Sequence, residues 1–479
     1  MASTAKTVNM GLVMGLAIGA ALGGLLFGYD TAVINGAVES IKHNFIDPRT
    51  ALSELERGNL FGWATGMALL GCVFGSILAG FTATAFGRRG GMMIAAVLFF
   101  FSSILSGYPE TGLAPLGGLG VHALTPFMVY RFIGGVAIGM ASLISPLYIA
   151  EIAPAKQRGL LVTFQQLAIV GGILLVAIVN LYIQRAGGGN DTWIDATGWR
   201  YMLASCGIPA GLFFLAALMM PDTPRWYLLK GKEDKARTLL LKLNDETTTE
   251  ETIAEIKGSL NQQHSGKLFS FGVGVIVVGI LLSVFQQFVG INAVLYYSNL
   301  MFKNIGLGND AAFLQTVIIM ATNVVFTLVA TFTVDSWGRK PLLILGGLIM
   351  AVAMLSMGFM FQTKMEGTAL LGAAMLYVAG FALSWGPVVW VMLSELFPNS
   401  IKGPAMAIAV AAQWISNFVV TWSFLVIDGN SHLNAMFNHG FAYYLYGGFS
   451  ILSALFVWKF VPETKGRTLE AIESLWKKH

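Results

Sequence analysis

Long apolar stretches dominate the chain, and short polar segments interrupt them at regular intervals. Each stretch is long enough for an α-helix to cross a bilayer, which takes about 20 residues. The stretches lie at 10–35, 59–83, 90–107, 122–145, 160–183 and 199–220, and then at 270–298, 311–334, 342–362, 368–393, 404–427 and 440–461. This pattern predicts an all-α integral membrane protein with twelve transmembrane helices in two six-helix halves.

One long polar stretch, from Asp222 to Lys267, separates the two sets. Leu239, Leu240 and Leu243 recur among its charged residues at helical spacing, so we expect short amphipathic helices beside the membrane. The predicted organisation is an N-terminal bundle at 1–221, a helical linker at 222–267, a C-terminal bundle at 268–461 and a tail at 462–479.

Three motifs occur once in each half and in the same order. They follow the second and eighth, the fourth and tenth, and the sixth and twelfth stretches. The pairs are Gly87-Arg88-Arg89 with Gly338-Arg339-Lys340, Glu151-Ile-Ala-Pro154 with Glu395-Leu-Phe-Pro398, and Pro221-Asp-Thr-Pro224 with Pro462-Glu-Thr-Lys465. A duplicated six-helix unit is typical of transporters whose site lies between the two copies.

Composition excludes several classes of protein. Of 479 residues, 56% are hydrophobic and 11% are charged, whereas soluble domains carry about 25% charged residues. The net charge of +4 gives no support for a nucleic-acid partner. The six histidines lie in loops or in the tail and no Walker motif is present, so we expect no metal, no cofactor and no enzymatic activity.

The distribution of Lys and Arg predicts the orientation. Most of these residues lie on the side that carries both chain termini. The opposite side has Lys42, Arg49, Arg57, Arg185, Lys303 and Lys364. Because cytoplasmic loops are enriched in Lys and Arg, both termini are predicted to be cytoplasmic.

The chain resembles the sugar porter branch of the major facilitator superfamily over nearly its whole length. The residues that carry this resemblance are Pro221-Asp-Thr-Pro-Arg-Trp226, Gln286-Gln287-Phe-Val-Gly290-Ile-Asn292, Ser384-Trp385-Gly386-Pro387 and Pro462-Glu-Thr-Lys-Gly466. The resemblance implies the major facilitator fold, with a cavity that opens alternately to either side. It also implies a monomer in the plasma (inner) membrane of a bacterium.

Amides and indoles inside apolar stretches are candidate sugar-binding groups. An amide offers two donors and an acceptor to sugar hydroxyls, and an indole offers a flat apolar wall with one donor. The resemblance assigns sugar binding to Gln166, Gln286, Gln287, Asn292, Trp390 and Gln413, and cavity lining to Phe27, Ile173, Tyr296, Asn323, Gly386, Trp414 and Asn417. Ile173 stands where proton-coupled relatives have a glutamine. Alternatively, these amides only bond neighbouring helices.

Asp30 lies within the first stretch and Arg131 within the fourth. An ionised carboxylate inside a membrane is costly and indicates function, and the resemblance matches both residues to the proton-coupling pair of symporters. An arginine beside the acid disfavours protonation, whereas burial of the acid alone favours it. The pair is therefore predicted to act as a proton switch. The alternative is a permanent salt bridge between two helices.

Charged residues at the helix ends on the terminal side are candidates for a gate. Acids and bases from opposite halves are predicted to pair there, to hold the outward-facing state and to separate when the protein opens inward. They are Arg88, Arg89, Glu151, Arg158, Asp335, Arg339, Lys340, Glu395 and Lys402. Surface ion pairs without a gating role are the alternative.

The predicted function is proton-coupled transport of a monosaccharide, D-xylose or a related aldose such as D-glucose, by alternating access. The partners are then the sugar, a proton and the lipid bilayer. An uncoupled sugar facilitator, in which Asp30 is only structural, is the alternative. A membrane sugar sensor is a third reading, against which the short tail argues.

Overall fold

The twelve predicted spans are confirmed. The structure is a computed structural model that describes residues 9–112, 120–154, 158–261, 268–365, 368–398 and 401–465. Twelve of its helical segments are long and apolar enough to cross a membrane, from Met10–Ile46 to Phe441–Phe460. The tail from residue 466 onward lies outside the described residues.

The first half supplies six spans. Its helices are α1 (Met10–Ile41, extended to Ile46 by a π-helical turn), α2 (Glu54–Ala85), α3 (Gly87–Gly107), α4 (Leu124–Ile152), α5 (Arg158–Ala186), and a sixth span of α6 (Asp191–Trp193), α7 (Trp199–Ser205) and α8 (Gly207–Met219).

Three short helices follow, α9 (Pro224–Leu229), α10 (Glu233–Leu243) and α11 (Glu246–Asn261). The apolar side of α10, with Leu239, Leu240 and Leu243, is buried. The backbone N–H of Asn9 donates to the carbonyl of Leu243 at 2.9 Å, so this segment lies beside the start of the first span.

The second half repeats the arrangement. Its helices are α12 (Val273–Phe288), α13 (Ile291–Asn304), α14 (Asn309–Trp337), α15 (Arg339–Gln362), α16 (Thr368–Leu383), α17 (Trp385–Leu396), α18 (Lys402–Asp428), α19 (Ser431–Phe437) and α20 (Phe441–Phe460).

The seventh and tenth spans are broken, which the apolar pattern did not predict. Gly290 breaks the seventh with a φ of +93°, and a side chain there would lie 2.5 Å from the ring of Tyr446. The tenth breaks at Ser384, ahead of Pro387 in the first turn of α17. The backbone groups released by a break need new partners inside a membrane. Tyr377 supplies one by donating to the carbonyl of Val289 at 2.8 Å.

Glycines let α2 and α4 approach until their backbones touch. A methyl group at Gly135 would lie 1.9 Å from the carbonyl oxygen of Ala68, and one at Gly75 would lie 2.0 Å from that of Val136. These small residues therefore pack helices together, as glycines commonly do between membrane helices.

The two halves contact each other through α1 with α13, α2 with α18 and α5 with α14. We call the side of the membrane domain that carries both chain termini the terminal face and the opposite side the distal face. On α2, the closest approaches to the other half are at Gly58, Gly62 and Gly66, which lie toward its distal end.

Gly135→Ala is expected to force α2 and α4 apart and to lower stability by about 1–3 kcal/mol, as overpacking does. Thermal unfolding in detergent, followed by the loss of monodisperse protein, measures the effect. Gly80→Ala on α2 is the matched control, because nothing lies within 4 Å of a methyl group at that position. Equal unfolding temperatures for the two variants would contradict the packing argument.

Candidate substrate and proton site

The predicted sugar-binding amides of the second half form one hydrogen-bonded network. Asn292 donates to Gln287 at 2.5 Å, and Gln287 donates to the Oε1 of Gln286 at 3.5 Å. Gln413 on α18 also donates to Gln286. Gln286 in turn donates to the carbonyls of Trp385 at 2.9 Å and Gly386 at 3.2 Å. The amides of this network therefore bond to one another and to neighbouring backbone carbonyls.

The broken spans explain why this network forms. Gln286 and Gln287 lie in the last turn of α12, just before the break at Gly290, and Asn292 lies just after it. The break at Ser384 brings the first turn of α17 to the same place. Gln286, just before one break, therefore bonds backbone carbonyls beside the other break, and Asn292 joins the network through Gln287.

An aromatic cavity lies next to the network and between the halves. Phe27 and Trp414 meet edge to face with ring centroids 5.3 Å apart. Asn417 donates to the hydroxyl of Tyr296 at 3.2 Å. Phe27, Tyr296 and Trp414 all line the cavity, so these three predicted lining residues, from both halves, lie around one cavity.

Asp30 and Arg131 line the same cavity. Both guanidinium ends of Arg131 bond the carboxylate, at 2.5 and 3.2 Å, and Asp30 is 4% exposed. A backbone contact fixes the position of the acid, because a methyl group at the preceding Gly28 would lie 1.8 Å from the carbonyl oxygen of Ile169. The pair is thus buried, bidentate and adjacent to the aromatic cavity.

For the remaining predicted site residues, only their burial bears on a role in the site. Ile173 and Asn323 are buried, Gln166 is half-buried and Trp390 is 36% exposed. Their roles stay predictions.

The three repeated motifs of the first half meet in one cluster at the terminal face. Arg88 pairs with Glu151 at 2.7 Å, and Thr223 donates to the same carboxylate at 2.5 Å. Asp222 accepts the backbone N–H of Arg88 at 2.9 Å, at the start of α3. Burial raises the pKa of Asp222, against backbone hydrogen bonds that lower it.

The second half builds the same cluster. Arg339 pairs with Glu395 at 3.0 Å, and Thr464 donates to that carboxylate at 2.6 Å. Glu463 accepts the backbone N–H groups of Arg339 and Lys340 at 3.1 and 3.0 Å. Partial burial would raise the pKa of Glu463, but hydrogen bonds from backbone N–H groups hold it below its ordinary value.

These clusters differ from the predicted gate. The partners described for Arg88, Glu151 and Glu395 belong to the same half, and Arg89 likewise donates to the carbonyls of Ala217 and Leu218. Each acid lies beside the arginine of its own bundle. The pairing between halves was predicted for the outward-facing state and stays a prediction. Lys340 and Lys402 are half-buried. The side chains of Arg158 and Asp335 lie outside the described residues.

Polar contacts at the distal face join the two halves, and the sequence analysis missed them. The contacts are an ion pair of Glu39 with Lys303, an ion pair of Arg185 with Asp310 at 2.7 Å, and donation from Ser431 to Glu54. Nothing in the sequence indicates which of these residues meet, because the partners are far apart in the chain.

A buried amide reinforces the distal contact. Asn35 on α1 donates to the carbonyl of Leu295 at 2.8 Å and to the hydroxyl of Ser298 at 2.6 Å, and it accepts the backbone N–H of Asn299 at 2.9 Å. Within the same turn of α13, Tyr297 departs from helical geometry with φ −126° and ψ 16°. The first half thus supplies partners for a kinked turn of the second.

Comparison with known proteins identifies the family. The family profile described as "Sugar (and other) transporter" matches residues 16–476. The chain belongs to the sugar transporter family. It is therefore a transporter and not an enzyme.

Individual relatives cover almost the whole chain. The D-xylose-proton symporter of Escherichia coli (strain K12) is 49% identical over 461 residues, which cover 95% of this chain and 93% of that protein. The glucose facilitated diffusion protein of Zymomonas mobilis is 44% identical and covers 98% of each chain. The xylose transporter of E. coli in an inward open conformation matches with a TM-score of 0.87 and 47% identity, covering 97% of this chain and 100% of that one.

Gln287→Ala is expected to weaken sugar binding about five-fold to a hundred-fold, because one lost hydrogen bond to a desolvated hydroxyl costs about 1–3 kcal/mol. Equilibrium binding of D-xylose to purified protein measures the change. Gln362→Ala is the control, since Gln362 is exposed and bonds to Tyr444. Unchanged affinity in a folded Gln287→Ala protein would remove this residue from the site.

Proposed function

We propose that this protein carries an aldose such as D-xylose or D-glucose together with a proton, by alternating access across the inner membrane of a bacterium. The observation that carries the proposal is the shared cavity. The Asp30–Arg131 pair lies on the same cavity wall as Phe27, Tyr296 and Trp414, so a proton site and an aromatic site lie side by side.

The amide and aromatic side chains suit a sugar, and the buried carboxylate suits a proton. The amide network offers donors and acceptors for hydroxyls, and Phe27 and Trp414 offer apolar surface for the C–H face of a ring. A buried carboxylate with one arginine partner can exchange that partner for a proton. After protonation the acid is neutral, so the cost of burying an ionised carboxylate no longer arises when the cavity closes and loses its water. A carrier loaded with sugar and proton can therefore reorient.

The position of the contacts between halves indicates the state of the carrier. Hydrogen bonds, ion pairs and close helix approaches join the halves at the distal face, whereas Glu151 and Glu395 bond within their own halves at the terminal face. With both termini in the cytoplasm, this arrangement is an inward-facing carrier. The resemblance to a solved inward open xylose transporter supports this assignment, and we propose that the carrier works as a monomer.

Asp30→Asn mimics the protonated acid and is expected to abolish accumulation driven by a pH gradient while leaving downhill movement of sugar. Uptake of D-xylose into proteoliposomes, with and without an imposed gradient, measures this. Asp310→Asn is the matched control, because that acid also pairs with an arginine but is exposed. Accumulation that persists in Asp30→Asn would contradict its coupling role. A native protein that ignores the gradient would instead be a facilitator.

The orientation has its own test. A protease-cleavable tag placed after His479 is expected to be protected in intact spheroplasts and cleaved in inverted vesicles, because the Lys and Arg distribution retains the termini in the cytoplasm. A tag inserted at the exposed His432 in the distal face serves as the control and should show the reverse. Cleavage after His479 in intact spheroplasts would reverse the assignment of the two faces.

A further inference from the structure

One side of helix α5 extends from Gln166, a predicted sugar-binding residue, toward the distal face. With 3.6 residues per turn, Gln166, Ile173, Ala177, Asn180 and Gln184 fall on the same side of this helix. The first two belong to the predicted central site. Asn180 and Gln184 continue the same face closer to the distal end, where Arg185 pairs with Asp310.

A separate cavity lies along this face, between the halves. Helices α1, α5 and α14 form it, and its walls combine polar and apolar side chains. The lining residues include Asn35, Asn180, Thr316, Ala177, Phe313 and Met320. Because α1 and α5 belong to the first half and α14 to the second, the cavity must widen when the distal face opens.

Asn180 presents an unused acceptor there. The residue is 2% exposed, and its Nδ2 donates to the carbonyl of Val33 at 3.4 Å. Its Oδ1 has no hydrogen-bond partner among the described residues, and neither has the Oε1 of the buried Gln184. An unpaired buried acceptor destabilises the state in which it occurs, so an apolar residue would suit the distal-closed state better.

We propose that Asn180 forms a second, weaker aldose subsite in the distal-open state, on the route between the outside and the central amides. A sugar hydroxyl donates to its Oδ1, and Thr316 offers a second hydroxyl partner across the cavity. This inference rests on the proposed function. It explains why a polar side chain occupies a position where the closed state leaves its oxygen unpaired.

The first test compares the two directions of transport in proteoliposomes of known orientation. Asn180→Leu is expected to raise the KM for D-xylose entering from the distal side about five-fold to a hundred-fold and to leave the KM from the terminal side within two-fold. Gln287→Ala should raise both, as a central residue does. Asn44→Ala is the control, because the bonds described for Asn44, to Ser40 and Asp195, lie within its own half. An equal change in both directions for Asn180→Leu, or none, would overturn the proposal.

A second measurement separates sugar contact from a shift between carrier states, since Asn180→Leu also removes an unpaired oxygen from the closed state. The ratio of mutant to native KM is measured for D-xylose and for its single-deoxy derivatives. A direct bond requires that one derivative abolish the effect of the substitution, as in a double-mutant cycle. An equal ratio for every derivative would show a shift in state and refute the subsite.

The smaller change Asn180→Ser replaces Asn180→Leu if the latter does not fold, and the same outcomes apply. A native protein that carries neither D-xylose nor D-glucose in either direction would contradict the proposed function, and the subsite with it. Transport of D-xylose by the native protein, with symmetric effects in Asn180→Leu, would contradict the subsite alone.

Discussion

The hydrocarbon core of a bilayer cannot solvate a charge or an unpaired backbone group, and this constraint organises the whole structure. It explains why Arg131 binds both oxygens of Asp30 and why Tyr377 covers a carbonyl at the break of the seventh span. It also explains why Gln286 bonds the neighbouring carbonyls of Trp385 and Gly386. Many polar groups inside the spans therefore bond to other protein groups, and an unpaired oxygen such as the Oδ1 of Asn180 is an exception that calls for an explanation.

Contacts at the terminal face tie the helices of each half together. The acid of each repeated motif bonds the arginine of another motif in the same bundle, so Glu151 and Glu395 hold their own helices together at the terminal face. The halves meet instead through contacts at the distal face, such as those of Asn35. Two internally tied bundles that meet through contacts at one face suit a rocking motion, in which one interface opens as another closes.

The central cavity gains its chemistry from breaks in the helices. A continuous seventh span would place Gln287 and Asn292 on a regular helical surface, whereas the left-handed Gly290 lets them bond to each other. The Gly and Pro residues near these breaks were visible in the sequence. Their effect on the neighbouring spans was not visible in the sequence. It depends on which backbone carbonyls lose their helical partner at a break and which side chains lie opposite them.

The sequence by itself determined the twelve spans, the duplication and the pairing of Asp30 with Arg131. The spans and the duplication follow from local hydropathy and repeated motifs, whereas the pairing follows from the resemblance to sugar porters together with the high cost of a lone charge in lipid. Only the tertiary structure decided that Glu395 bonds within its own half and that Asn35 meets the kinked turn of α13. These partners lie far apart in the chain, 56 residues for Arg339 and Glu395 and 260 for Asn35 and Leu295. Which residues become partners depends on how helices and bundles pack against each other, and no local sequence pattern determines that packing.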